Sequence, residues 1–161
     1  MPKIIVIAHN IRSTHNIGSI FRTCEGFGVS KIIISGYSPY PKLKNDPRLP
    51  HLIEKLTKQI HKTALDAENM IDFEYQNEAN FDSLKKNGYT IVGLEQDSRS
   101  IPINKYKANK KIALLLGEEI NGLTQQLRDK CDILLEIPMS GKKESFNVSV
   151  ATGIALYSLA I

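Results

Sequence analysis

Five short runs of this chain are almost without polar alternation: Lys3–Ala8, Lys31–Ser35, Tyr89–Leu94, Lys111–Leu116 and Ile133–Ile137. A strand with one wet face alternates apolar and polar residues, whereas a strand that is apolar throughout must be covered on both faces. That is the situation of strands in a parallel sheet with helices above and below. Between the first two runs, Ile17, Ile20, Phe21, Cys24 and Phe27 recur at helical spacing. They predict a helix from Asn16, as its cap, to about Gly26, with Arg22 and Gly18 on the side away from that face. Strand, helix, strand is a βαβ unit, and the fold class expected is α/β, a mostly parallel sheet flanked by helices.

The remaining segments extend this pattern. His51–Lys62 reads as an amphipathic helix with Leu52, Ile53, Leu56 and Ile60 inward, and Phe73–Gln76 as a short strand. Glu78–Asn87 and Thr124–Lys130 read as short helices. From Val148 onward apolar residues fall nearly all round a helix, which predicts burial on more than one side and a docked terminus. No linker or repeat divides the 161 residues, so residues 1–161 are expected to form one domain.

The net charge of +4 and pI of 9.0 permit a polyanionic partner without requiring one. The distribution of charge is more telling. Lys42, Lys44, Arg48, Lys55, Lys58 and Lys62 face only Asp46 and Glu54 in sequence, and Arg99, Lys105, Lys107, Lys110 and Lys111 have no acid between them. Each patch reads either as a track for a phosphate backbone or as an ordinary solvated face. Cys24 and Cys131 are too few for a disulfide framework or a zinc site and fit free thiols in a reducing compartment. The first apolar run is too short for a signal peptide, and no run approaches a membrane span. A cytoplasmic protein with no membrane association is expected. The histidines are scattered and no metal-ligand spacing occurs, so no metal is expected either.

Three strand ends combine glycines with polar groups. The first is Asn16-Ile-Gly18-x-x-x-Arg22, and the second is Gly117-Glu118-Glu119-Ile-Asn121-Gly122-Leu123. The third is the loop from Pro138, which stops its strand, to Ser145, Asn147 and Ser149, residues suited to starting a helix. Open α/β sheets bind ligands beyond the C-terminal ends of their strands. Gly117 and Gly122 either admit a ligand or make a tight turn, and none of the three stretches is a dinucleotide fingerprint or a P-loop.

Taken together, NIGSIFR, LLLGEEINGL and IPMSGKKESFNVSVATGIALY resemble, in order and spacing, the three motifs of the SpoU family of the SPOUT superfamily, the knotted RNA ribose 2′-O-methyltransferases. The resemblance covers nearly the whole chain. Phe146 departs from it, standing where the family usually has leucine. The resemblance implies a C-terminal deep trefoil knot, S-adenosyl-L-methionine as cofactor, and a homodimer. It also implies an RNA substrate, tRNA rather than ribosomal RNA, gripped by Pro39–Lys62 and Arg99–Lys111 with Arg12 and His15 near the target. Leu94, Gly117, Ile137, Met139, Ser145 and Phe146 are then the cofactor contacts, and Arg22, Asn16, Glu119, Ser145 and Asn147 the catalytic set. A guanidinium, with a pKa above about 12, is a poor base, so Arg22 is assigned to holding the phosphate beside the target ribose. Asn16 and Asn147 either orient Arg22 or the ribose or simply cap helices, Glu119 is an ionic partner, and Ser145 offers a hydroxyl. The rival readings are ribosomal RNA as substrate, a catalytically silent RNA-binding module of the same fold, and an unknotted flavodoxin-like nucleotide binder.

Overall fold

The computed structural model describes residues 1–161. The elements in order are β1 (Lys3–His9), α1 (Thr14–Gly26), β2 (Lys31–Ser35), α2 (Pro50–Ala64), α3 (Ala67–Met70), β3 (Phe73–Gln76), α4 (Phe81–Lys86) and β4 (Thr90–Leu94). They continue with β5 (Ile101–Pro102), a 3₁₀ turn at Ile103–Lys105, β6 (Lys111–Leu116), α5 (Gln125–Lys130), β7 (Ile133–Glu136) and α6 (Val148–Ala160). One seven-stranded sheet runs β3-β2-β1-β6-β4-β7-β5, and every pairing in it is parallel. Alternation along β1 sends Ile4, Val6 and Ala8 to one face and Ile5 and Ile7 to the other, as the pleat requires. The larger core joins the first face to Phe21 and Cys24 of α1 and Ala155, Leu156 and Leu159 of α6. The smaller core lies beneath Phe81, Leu84 and Leu127, from the α4 and α5 segments.

The strand order sets the site. β6 lies between β1 and β4, and β7 lies between β4 and β5, so both enter positions flanked by strands that precede them in the chain. The C-terminal ends of β1, β6, β4 and β7 therefore stand side by side. The segments that leave them, 10–13, 117–123, 95–96 and 137–147, converge at one edge.

Several local expectations are corrected. Ser13, not Asn16, caps α1: its hydroxyl accepts the Asn16 N–H at 3.2 Å, which leaves the Asn16 side chain free for other work. Gly18 does not share an open side with Arg22. A Cβ there would run into Thr63 Oγ1 and the Ile60 carbonyl and lie 2.9 Å from the Ala64 N, so this glycine is where α1 approaches the α2 backbone. α2 buries Ile60 and Ala64 while Leu52 faces solvent. α4 begins at Phe81 rather than Glu78 because the Asn80 side chain accepts the Ser83 N–H. α6 buries one side only: Thr152, Ala155, Leu156, Leu159 and Ala160 are buried, so its last turn is docked as expected, while Val150 at 50% and Tyr157 at 63% stand exposed on the other side.

The basic patches are also thinner than their sequence. Arg48 is a clamp: it reaches Asp46 at 2.6 Å, donates to the Tyr40 and Pro41 carbonyls, and lies 3.6 Å over the Tyr40 ring. That partner holds the Asp46 carboxyl well below the usual carboxylate range. Arg99 is shared between Asp97 and Asp129. Two guanidiniums thus staple loops, and what remains available on these surfaces is lysine.

Candidate active site

The converging strand ends enclose a cavity of about 250 Å³. Its apolar walls come from Leu94 at the end of β4, Leu116 and Gly117 at the end of β6, Ile137 and Met139 after β7, and Phe146 before α6. All six residues named for the cofactor, Leu94, Gly117, Ile137, Met139, Ser145 and Phe146, line it. Glu95, Glu119, Glu136 and Glu144 line it as well. A space with apolar walls and four carboxylates suits an aromatic ligand carrying positive charge and disfavours a phosphate.

Glycine is required here by backbone approach. A Cβ on Gly117 would lie 2.6 Å from the Gly122 carbonyl carbon and 2.7 Å from the Leu123 N. The 117–123 turn closes on itself, with Glu118 bridged to Gly122 and Gly122 in the left-handed region at φ 63°. Glu95 pins this turn from β4, its carboxylate accepting the Leu123 N–H at 2.7 Å. Gln96 beside it donates to the Glu144 carbonyl and so ties down the last loop.

At the rim, one chain of hydrogen bonds joins the three sequence stretches. Glu119 accepts the backbone N–H groups of Arg12 at 2.9 Å and Ser13 at 3.4 Å, and the Asn16 amide at 3.5 Å. Asn16 Oδ1 accepts the Asn147 amide at 3.2 Å. Asn147 Oδ1 accepts the Ser149 N–H at 2.9 Å and its hydroxyl at 2.6 Å, so Asn147 is both the cap of α6 and a member of the network. Arg12 adds an ion pair to Glu118 at 3.2 Å.

Of the five residues named as catalytic, Glu119, Asn16 and Asn147 are thereby brought together. Ser145 lines the cavity without joining the network. Arg22 stands apart: it is exposed on α1, outside the cavity lining, and its side chain makes no hydrogen bond or ion pair within the chain. Sequence reasoning missed Glu95 and Gln96, although a polar pair directly after β4 repeats the position of Glu118 and Glu119 after β6. Neither cysteine is a nucleophile here, since burial raises the Cys131 thiol to about 11 and the fully buried Cys24 thiol further still. No helix is long and apolar enough to cross a membrane.

The same fold occurs in proteins of known structure. A crystal structure of an AdoMet-bound rRNA methyltransferase from Sinorhizobium meliloti matches with a TM-score of 0.80 and 24% identity, over 98% of this chain and 55% of that one. A TrmH/SpoU tRNA modifying enzyme from A. aeolicus matches with a TM-score of 0.74 and 25% identity, over 99% of this chain and 75% of that one. In sequence, the 23S rRNA (guanosine-2′-O-)-methyltransferase RlmB of Coxiella burnetii is 31% identical over 160 residues. That match takes in 98% of this chain and 58% of the relative, so the chain spans little more than half of RlmB. The sequence model described as the SpoU rRNA Methylase family matches residues 3–157, a span that holds all three stretches joined at the rim. By fold, by motif and by the extent of that match, the chain belongs to the SpoU rRNA Methylase family.

Proposed function

We propose that residues 1–161 are one methyltransferase domain that transfers a methyl group from S-adenosyl-L-methionine to a ribose 2′-hydroxyl of RNA, with tRNA as substrate, in the cytoplasm. The observation that carries this reading is the Glu119–Asn16–Asn147 network, which fixes three distant motifs at the rim of a cavity suited to a cationic adenosine. The insertion of β6 and β7 between earlier strands supports a trefoil-knotted C-terminal half.

S-adenosylmethionine, when bound, supplies a methyl group already activated on a sulfonium. Transfer to the ribose oxygen would form the new carbon–oxygen bond as the carbon–sulfur bond breaks with its electrons going to sulfur, and would pass the hydroxyl proton to water. The work left to the protein is alignment and a route for the proton. Gly117, Ile137 and Phe146 supply a close-fitting wall, and the surrounding carboxylates favour a positive charge at its centre. Glu119 holds the 12–13 backbone in place, and Asn16 and Asn147 present a fixed amide edge to the ribose. Arg22, with no internal partner, is free to take the phosphate beside the target and hold the hydroxyl in line.

Arg22 lies outside the cavity of its own chain, and the open side of α6 offers Val150 and Tyr157, exposed, with Ile154 half-buried between them and Ile161 exposed just beyond the helix, as an apolar stripe. Both features support a homodimer packed through this region. Light scattering at micromolar concentration is expected to give twice the chain mass, and Tyr157→Glu a monomer. A wild-type monomer would contradict the dimer.

The substrate class is tested with unmodified tRNA and unmodified ribosomal RNA offered separately with labelled S-adenosylmethionine. Label is expected in the tRNA. Label confined to ribosomal RNA would replace that part of the reading and leave the chemistry intact.

A further inference from the structure

Tyr37 is an aromatic side chain 53% exposed, in a segment whose backbone has almost no freedom. Gly36, just before it, sits in the left-handed region at φ 67°, and Asn10, at the end of β1, does so at φ 54°. The Asn10 side chain accepts the Tyr37 N–H at 3.1 Å. The next residue, Ser38, is buried; its hydroxyl accepts the Ile11 N–H at 2.8 Å and donates to the Ala8 carbonyl at 3.1 Å. Behind the bend, Tyr75 donates its hydroxyl to the Gly36 carbonyl at 2.7 Å. Asparagine enters the left-handed region more readily than most side chains, and here its hydrogen bond to the Tyr37 N–H ties that turn to the next strand's end. The effect of this bracing is to hold an apolar ring in solvent, where hydrophobic burial cannot explain it.

The ring is also wired to the rim network. The Arg12 guanidinium carbon lies 5.8 Å from the Tyr37 ring centroid. Arg12 pairs with Glu118 through its side chain and donates its backbone N–H to Glu119. Tyr37, Arg12 and His15 share the border of a shallow depression of about 610 Å³, beside the ends of β1 and β2. The lysines Lys42 and Lys44 follow in the same loop and make no ion pair.

We infer that Tyr37 is a stacking platform for an unpaired nucleobase next to the methylated nucleotide, with Arg12 taking the adjoining phosphate. The inference rests on the reading of the protein as an RNA methyltransferase and adds a base-binding subsite to it. Base–aromatic stacking is indifferent to which base is present, so this subsite selects single-stranded RNA over duplex and leaves sequence choice to other contacts.

The chain contains no tryptophan, so Tyr37→Trp places a single indole at the site. Unmodified tRNA and a short single-stranded oligoribonucleotide are expected to quench its emission, while an abasic strand of equal length and charge leaves it unchanged. In transfer assays, Tyr37→Ala is expected to raise KM for RNA by about tenfold with kcat and S-adenosylmethionine affinity kept, and Tyr37→Phe to behave as wild type. Equal quenching by the abasic strand, quenching that follows protein concentration rather than RNA, or an unchanged KM in an active Tyr37→Ala enzyme would overturn the platform alone. Base-dependent quenching in a protein that transfers no methyl group would instead keep the platform and remove the proposed reaction.

Discussion

Gly117→Ala is expected to weaken S-adenosylmethionine binding by about 5- to 150-fold, which corresponds to ~1–3 kcal/mol of overpacking. The added methyl would sit 2.6 Å and 2.7 Å from backbone atoms of Gly122 and Leu123, and backbone cannot swing aside as a side-chain end can. The turn must open, and that turn is the cavity wall. It is also the segment that Glu95 pins through the Leu123 N–H, so opening it sacrifices a hydrogen bond to a carboxylate. Calorimetry with S-adenosylmethionine checks this, and circular dichroism separates it from unfolding. Wild-type affinity in a folded Gly117→Ala protein would mean that the cavity between β4, β6 and β7 is not the cofactor site.

Glu119→Ala is expected to lower kcat by about 100-fold, the order of loss that a displacement near 1 Å in an aligned reaction produces. Its carboxylate collects two backbone N–H groups and the Asn16 amide, and removing it releases the start of α1 from the end of β6. Asn16 would then keep only Asn147, and the alignment of the first motif with the third would rest on one 3.2 Å contact. The site is half exposed, so water can satisfy the freed donors and folding should survive. Glu119→Gln, which keeps one acceptor oxygen, should fall between. Turnover at the wild-type rate in Glu119→Ala would remove the network from the mechanism.

How much of this was legible beforehand follows from what each signal depends on. The buried strands were readable because burial on both faces leaves an uninterrupted aliphatic run, and β1, β2, β4, β6 and β7 all appear at or within one or two residues of their expected bounds. β5 was not readable, because a two-residue strand containing Pro102 owes its place to pairing with β7 rather than to its own composition. Asn16 was misread for a related reason. Asparagine and serine are both good helix caps, and only the three-dimensional path of residues 10–13 decides that Ser13 takes the role. Arg48 and Arg99 looked like free cations because their acids, Asp46 and Asp97, are two residues away on bends that the sequence does not announce. The strand order was least accessible of all, since the places of β6 and β7 between earlier strands are decided by long-range pairing that no local pattern of residues carries. The motifs named residues that meet at one cavity and its rim, which periodicity could not do, and Arg22 stands apart because no side chain in its own chain holds it.

The most direct test of the account is the identity of the methylated product. Unmodified tRNA is incubated with the protein and labelled S-adenosylmethionine, digested to nucleosides and resolved, with Arg22→Ala run in parallel. The account predicts label on a ribose 2′-oxygen and its loss in Arg22→Ala. Label on a base, or a 2′-O-methylated nucleoside formed equally well by Arg22→Ala, would contradict it.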